Sequence, residues 1–272
     1  MSSTSNAWSE VASGYGFAVG KANTPAARST RDSATREGRL DCRFQPVRQV
    51  HSQQLLGYRA VTDYCDSHQR AIPFSQLMGW AKSRELQSIF QSYRLQEILS
   101  QSGANLGGAR LFIPVEVDLF YANNWSWGEV TERAEQAGIL SGQLVWELLE
   151  SECHADTRMA MRFINEGREF FSRYSITTGA TRAPDWELLR LLRPDFLQLP
   201  EQMINGCTAS SYRRDWVAGA IRLAAEQGIK VLACGVHAKA DWDWLVEQGV
   251  AGGFGSWLGS PGALPQRRQP LV

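Results

Sequence analysis

From Leu40 onward the apolar positions fall into two alternating rhythms, short runs of strand length and stretches with a helical period. "LDCRFQPV" and "QLLGYRAV" read as two strands joined by a short polar turn, and "RAIPFSQ" leads into a helix. Leu86, Ile89, Phe90 and Tyr93 recur at helical spacing within residues 84 to 101. The strand "ARLFIPVEV", a helix around 128 to 138, the strand "QLVWELLE" and a long helix over 154 to 173 follow. Next come "YSITTG", a short helix at 185 to 192 and "PDFLQLP". A helix over 210 to 227 carries Val217, Ala220, Ile221 and Ala224 on one face and stops at Gly228, as helices commonly do. "IKVLACG", a helix at 239 to 248 and "GGFGSWLG" close the series.

Roughly seven or eight strands separated by helices imply parallel strands with helical crossovers, and that count fits a closed barrel better than an open sheet. The expected fold is α/β, a modified (β/α)8 TIM-like barrel in a single domain, with function at the C-terminal ends of the strands. Residues 1 to 38 are rich in Ser, Thr, Ala, Gly and Arg and read as a disordered N-terminal arm. Its "YGFAV" cluster is either part of an unstructured tail or a segment that docks on the body or on a partner. The folded domain is expected over 39 to 262, with a C-terminal tail over 263 to 272.

Composition narrows the class. Of 272 residues, 43% are hydrophobic and 21% charged, which is ordinary for a globular protein. No run reaches the ~18 apolar residues of a membrane span and the polar N-terminus has no signal-peptide core, so a cytoplasmic protein that does not engage a membrane is expected. Five scattered cysteines are the pattern of reduced thiols, not of a disulfide framework. With 28 basic and 28 acidic residues there is no basic excess for a broad nucleic-acid surface, and no direct nucleic-acid contact is expected. Ten tryptophans are many for this length, and Trp is both a core residue and an interface anchor.

Candidate chemistry begins with Cys234 and His237, which stand three apart at the end of "IKVLACGVHA". Both residue types bind zinc, yet the chain has no CxxC and no HxxxH to supply a second ligand pair. The strand ends in order carry Arg59, Pro114, Glu147, Thr177 and Thr178, Gln198, Cys234 and Phe254. Glu147 is the sole carboxylate among them. Hard divalent cations need several converging oxygen ligands, and these positions do not provide them.

The order and spacing of "QPV" (45 to 47), "GYRAV" (57 to 61), "LVWELLES" (144 to 151), "ITTGATRA" (176 to 183), "PDFLQLP" (194 to 200), "IKVLACGVHA" (229 to 238) and "GFGSWLGSP" (253 to 261) resemble the EAL domain. That family consists of barrel phosphodiesterases that cleave cyclic di-GMP with metal-bound water, and the resemblance covers roughly residues 40 to 261. Carried over position by position, the resemblance implies a degenerate site. The family's namesake Glu falls on Arg59, and the Arg that follows it falls on Asp63. Its Asn falls at or beside Pro114, its paired Asp on Thr177 and Thr178, and its catalytic Lys on Gln198. The two Glu of its "AEGVE" fall on Cys234 and His237, and the Gln of its "QGY" on Phe254. Only Glu147 and Gln45 stand as the family would have them.

Electrostatics points the same way. Two unit cations about 4 Å apart repel by roughly 4 kcal/mol at an effective dielectric near 20, and Arg59 would stand beside a divalent ion. The expectation is therefore no metal, no cofactor and no phosphodiester hydrolysis, with Arg59 paired to Glu147 across the barrel mouth.

Three functions are weighed. The first is an inactive EAL-like regulator working through protein contacts; some degenerate members of the family act so, including anti-activators of a flagellar master regulator, and a transcriptional or motility regulator is the kind of partner implied. The second is a non-catalytic cyclic di-GMP sensor, with Gln45, Arg59 and Glu147 as the residues left to touch ligand. Loss of the family's Arg near position 63, and "GSP" where the family has "GRP", make cyclic di-GMP the less favoured partner. The third, an active phosphodiesterase, has the least support. Trp242 and Trp244 cannot face the same way on one helix, so either one is exposed or both lie at its edges. Trp125 and Trp127 either pack in the core or line the mouth or a partner surface.

Overall fold

The computed structural model describes residues 39–50, 54–65, 71–81, 84–123, 125–140, 142–180 and 182–265. The arm at 1 to 38 lies outside the described residues, as does the tail from 266. The chain opens with a hairpin of β1 (Arg39–Gln49) and β2 (Leu55–Cys65), extended at the edge of β2 by β3 (Ala71–Pro73). Helices α1 (Phe74–Trp80) and α2 (Arg84–Ser102) lead to β4 (Arg110–Pro114), then α3 (Val117–Ala122) and α4 (Trp127–Gln136) lead to β5 (Leu144–Leu149). After β5 come α5 (Glu150–Ala155), α6 (Thr157–Arg168), β6 (Arg173–Thr177), α7 (Trp186–Leu192) and β7 (Phe196–Leu199). The series ends with α8 (Glu201–Ile204), α9 (Ser211–Glu226), β8 (Lys230–Cys234), α10 (Lys239–Gln248) and β9 (Gly252–Phe254).

Strands β2, β4, β5, β6, β7, β8 and β9 pair in that order and in parallel. β1 runs antiparallel to both β2 and β9 and closes the cylinder, giving eight staves with β3 as an outlier on β2. The staves β4 to β9 are largely buried on both faces, which is why they read as continuous apolar runs, whereas β2 is buried only in part. Val47, Leu56, Phe112, Val145, Phe196, Leu232, Cys234 and Phe254 fill the interior. The alternation of side chains then puts Glu147 on the same face as Val145, while Trp146 and Leu148 face the helices.

Outside the staves, Phe120, Trp127, Trp146, Phe163 and Tyr174 form a cluster of tilted and edge-to-face rings. Gly167 is where α6 meets it, and any Cβ there would strike the Tyr174 hydroxyl and the Trp127 ring. Trp125 and Trp127 are both buried, the former donating its Nε1–H to Ser92 Oγ at 3.0 Å, so they belong to the core and not to an outer surface. Trp242 is likewise buried, and Trp244 is half-buried against the core. Among the described residues no helix is long and apolar enough to cross a membrane.

Two elements differ from the sequence pattern. The helix expected over 154 to 173 is two helices, because Asp156 leaves helical geometry (φ −142°) and its carboxylate caps the next helix at Met159 N–H, 2.9 Å away. The strand expected over 109 to 117 stops at Pro114, and the apolar residues beyond it open α3 instead.

Five helices that run into barrel strands end on a left-handed residue. At α4, α9 and α10 it is glycine: Gly138, Gly228 and Gly249. Each closes a paired backbone motif, as where Ile229 N–H reaches Ala224 O and Gly228 N–H reaches Ala225 O. At α6 the same motif is closed by Phe171 (φ 60°), with Ser172 N–H on Gly167 O and Phe171 N–H on Arg168 O. At α7 it is Arg193 (φ 49°), whose N–H reaches Leu189 O at 2.8 Å. A side chain in this conformation carries a strain of about 1 to 2 kcal/mol that glycine does not.

Candidate functional site at the mouth of the barrel

The C-terminal strand ends converge on one buried network. Glu147 (β5), whose side chain is 3% exposed, receives Arg59 Nε (β2) on both oxygens, at 2.8 and 3.1 Å. It also accepts from Gln198 Nε2 (β7) at 2.6 Å. The same amide nitrogen reaches Ser175 Oγ (β6) at 3.0 Å. Gln198 Oε1 in turn accepts from the Thr177 hydroxyl at 3.2 Å and the Cys234 thiol at 3.5 Å. Thr178 bonds through its backbone N–H to Gln198 O. Phe254, on β9, lies under the guanidinium, with its ring centroid 5.3 Å from Arg59 Cζ. Burial, the largest single influence, would lower the Arg59 pKa, but the Glu147 charge, the proximity of Cys234 and the hydrogen bond to Glu147 together outweigh it and raise the pKa. Burial pushes the Cys234 thiol well above its ordinary value, so it stays protonated.

The register explains how these residues meet. Gln45 lies opposite Arg59 in the β1–β2 hairpin, and Pro114 lies beside Glu147 between β4 and β5. Gln45 itself turns to Gly259 O at 3.4 Å. Asp63 is engaged by Arg43 across the hairpin. Arg59, Glu147, Thr177, Thr178, Gln198, Cys234 and Phe254 therefore belong to one constellation. His237 does not: its Nδ1 meets Ser256 Oγ at 2.7 Å and its Nε2 meets Glu201 Oε1, at the start of α8, at 2.9 Å. Cys234 and His237 are thus not two halves of one site.

Beside the network is a cavity of about 350 Å³ lined by Arg59, Arg94, Phe74, Met78, Pro114 and Glu147 among others. Arg94 was not singled out in the sequence, where it is one more polar position on the α2 pattern. Its guanidinium stacks 4.5 Å from the Phe74 ring centroid, and burial, with a smaller push from Arg59, brings its pKa down to about 10. Its Nε has no hydrogen-bond partner among the described residues.

This donor set does not fit a divalent cation. The single carboxylate of the network already receives a guanidinium and an amide, the thiol beside it is protonated, and the remaining oxygens are neutral hydroxyls and amides. Among the described residues no three His, Cys, Asp or Glu side chains come together to hold a metal.

Comparison with known proteins gives the lineage. Solved structures with this fold include a PaMucR phosphodiesterase in complex with c-di-GMP, at 19% identity over 82% of this chain and 92% of that one (TM-score 0.72). The FimX EAL domain from Pseudomonas aeruginosa bound to c-di-GMP matches at 14% identity over 82% and 91% (TM-score 0.73). Klebsiella pneumoniae BlrP1, as a calcium and c-di-GMP complex, matches at 17% identity over 82% of this chain but 57% of its own longer one (TM-score 0.72). No curated protein sequence matches the chain. The EAL domain family model matches residues 28–261, and the chain belongs to that family.

Proposed function

We propose that this chain is a catalytically inactive EAL-like regulatory protein of the cytoplasm, working through protein contacts and not by cleaving cyclic di-GMP. The observation that carries the reading is the engagement of Glu147 by Arg59 and Gln198, which puts a fixed cation where a divalent ion would need an open carboxylate. The replacements at Arg59, Thr177, Thr178, Gln198, Cys234, His237 and Phe254 act in concert, since six of these seven form one neutral or internally paired network. A transcriptional or motility regulator is the partner class that degenerate relatives imply.

The test is incubation of the full chain with cyclic di-GMP and Mg²⁺ or Mn²⁺, with products separated chromatographically. No linear dinucleotide is expected; turnover that disappears in Glu147→Ala would overturn the reading.

A second reading, a cyclic di-GMP sensor, draws on the cavity at the mouth, where Arg59, Arg94 and the Phe74 ring offer cationic and stacking contacts. Several structures of similar fold are complexes with c-di-GMP. Calorimetric titration with cyclic di-GMP, with and without Mg²⁺, separates the two. Saturable micromolar binding that is lost in Arg94→Ala selects the sensor; the absence of heat selects the contact protein.

A further inference from the structure

We propose that the groove at the N-terminal end of the barrel, where α6, α7 and α9 turn into β6, β7 and β8, docks an acidic protein segment that carries an apolar side chain. The proposal rests on the reading of this chain as a contact protein, and it supplies the surface and the partner's chemistry.

The groove has a volume of about 870 Å³. Its charged lining is Arg168, Arg173, Arg190 and Arg193 against Asp195 and Glu226. Asp195 is already committed, one oxygen to Arg173 at 2.9 Å and the other to Tyr174 N–H at 3.0 Å. Arg168 directs its donors to the carbonyls of Leu192 and Arg193, which hold it in place without neutralising it. Among the described residues, Arg168, Arg190 and Arg193 pair with no carboxylate. With Glu226 counted, four arginines face two carboxylates, a local cationic excess in one concave place of a chain with no net charge. The planar guanidinium fork suits carboxylates.

The apolar part is equally local. Phe171 lines the groove and is 70% exposed; Leu140 (67%), two residues before the lining residue Gly142, and Leu191 (50%), next to the lining residue Arg190 on α7, are exposed as well. Gly142, in the loop that carries Leu140, lines the groove together with Phe171.

The backbone supplies an independent pointer. Of the three helices that border the groove, α9 closes on Gly228, whereas α6 and α7 close on Phe171 and Arg193. Those are the only non-glycine residues with positive φ among the described residues, and both line the groove. Glycine would serve either cap without strain, so the strain is retained for the side chain it displays. This end of a barrel ordinarily serves stability, which leaves an open cationic groove with a raised aromatic rim without a role in the fold itself.

The probe is a fluorescein-labelled synthetic peptide of Asp and Glu residues with one Leu and one Phe, titrated with the full chain by fluorescence anisotropy. Comparators are the same peptide with Lys for the acids, the acidic peptide with Ser for the apolar residues, and a single-stranded oligonucleotide of equal length. Saturable binding of the first peptide alone is expected. It should weaken by about tenfold or more in Arg190→Glu/Arg193→Glu and weaken with added salt. Phe171→Gly, which keeps the cap, should weaken it by about fivefold. Equal binding of the basic peptide, preference for the oligonucleotide, or unchanged binding in the folded double charge reversal would overturn the proposal. The phosphodiesterase assay on the same preparation keeps the two ideas apart. Hydrolysis with peptide binding intact would sink the reading of the mouth and leave the groove standing; absent binding without hydrolysis sinks the groove alone.

Discussion

At the C-terminal mouth the cation Arg59 lies 2.8 Å from a carboxylate that is itself buried and doubly engaged; at the N-terminal end three arginines border open space with no carboxylate partner among the described residues. The mouth lies where this kind of barrel places its chemistry, and here its polar groups bond one another. The opposite end keeps its charges, an exposed ring and two strained caps available to something outside. A buried ion pair is tested by removing one member, because the other is then left uncompensated. An open cationic patch is tested by binding, because its charges hold up little of the fold.

The largest effect should come from the mouth. Glu147→Ala leaves Arg59 without its carboxylate and Gln198 with Ser175 Oγ as its remaining acceptor, and should lower stability by about 3 kcal/mol in urea denaturation. The double substitution Arg59→Met/Glu147→Leu should recover to within about 1 kcal/mol of the parent. Equal losses in single and double variants would mean that the pair contributes shape and not charge compensation.

Cys234 gives the next. Its thiol is raised in the fold, so its contribution is intact below the ordinary thiol value and is lost as the unfolded chain ionises above about pH 8.5. Stability of the parent should therefore fall more steeply than that of Cys234→Val, by about 1.4 kcal/mol per pH unit, in denaturation series between pH 9 and 10. Parallel slopes would show that the thiol is not held protonated by its surroundings.

At the other end the sign reverses. Phe171→Gly and Arg193→Gly should each raise stability by about 0.5 to 1 kcal/mol by relieving the left-handed strain, while Phe171→Gly weakens peptide binding. A loss of stability in both would mean that the side chains pack and are not held out for contact. Smallest of all, Arg190→Glu/Arg193→Glu should change stability by less than about 0.5 kcal/mol, although it has the larger effect on binding.

The mouth was legible in the sequence to a useful degree because its parts lie at strand ends, and strands announce themselves by apolar runs. The Arg59–Glu147 pair is readable for that reason. The place of Gln198 at the centre of the network is not, since an amide in "FLQLP" carries no sign of which neighbours will share it. His237 stands near Cys234 in sequence, but the turn at Gly235 (φ 71°) sends it outward to Ser256 and Glu201. The groove was invisible. Its walls come from segments separated along the chain, and two of its three left-handed helix caps carry Phe and Arg where pattern reading looks for Gly. The break at Asp156 was hidden by a continuous helical period on both sides of it.

The antiparallel stave β1 has a consequence in time. It pairs locally with β2, but it meets β9 only where Arg48 and Gln49 face Gly253 and Gly252, about 200 residues further along the chain. The hairpin can form while the rest is still unmade, and its outer edge then waits as an unsatisfied template for any extended segment. Gly252 and Gly253 admit the neighbouring backbones where a Cβ would lie 2.5 Å from Arg48 O or 2.7 Å from Ala233 O. The same strand is covered further along where Phe44 and Gly262 exchange backbone hydrogen bonds, so the hazard of wrong pairing ends only once that later segment has been made as well.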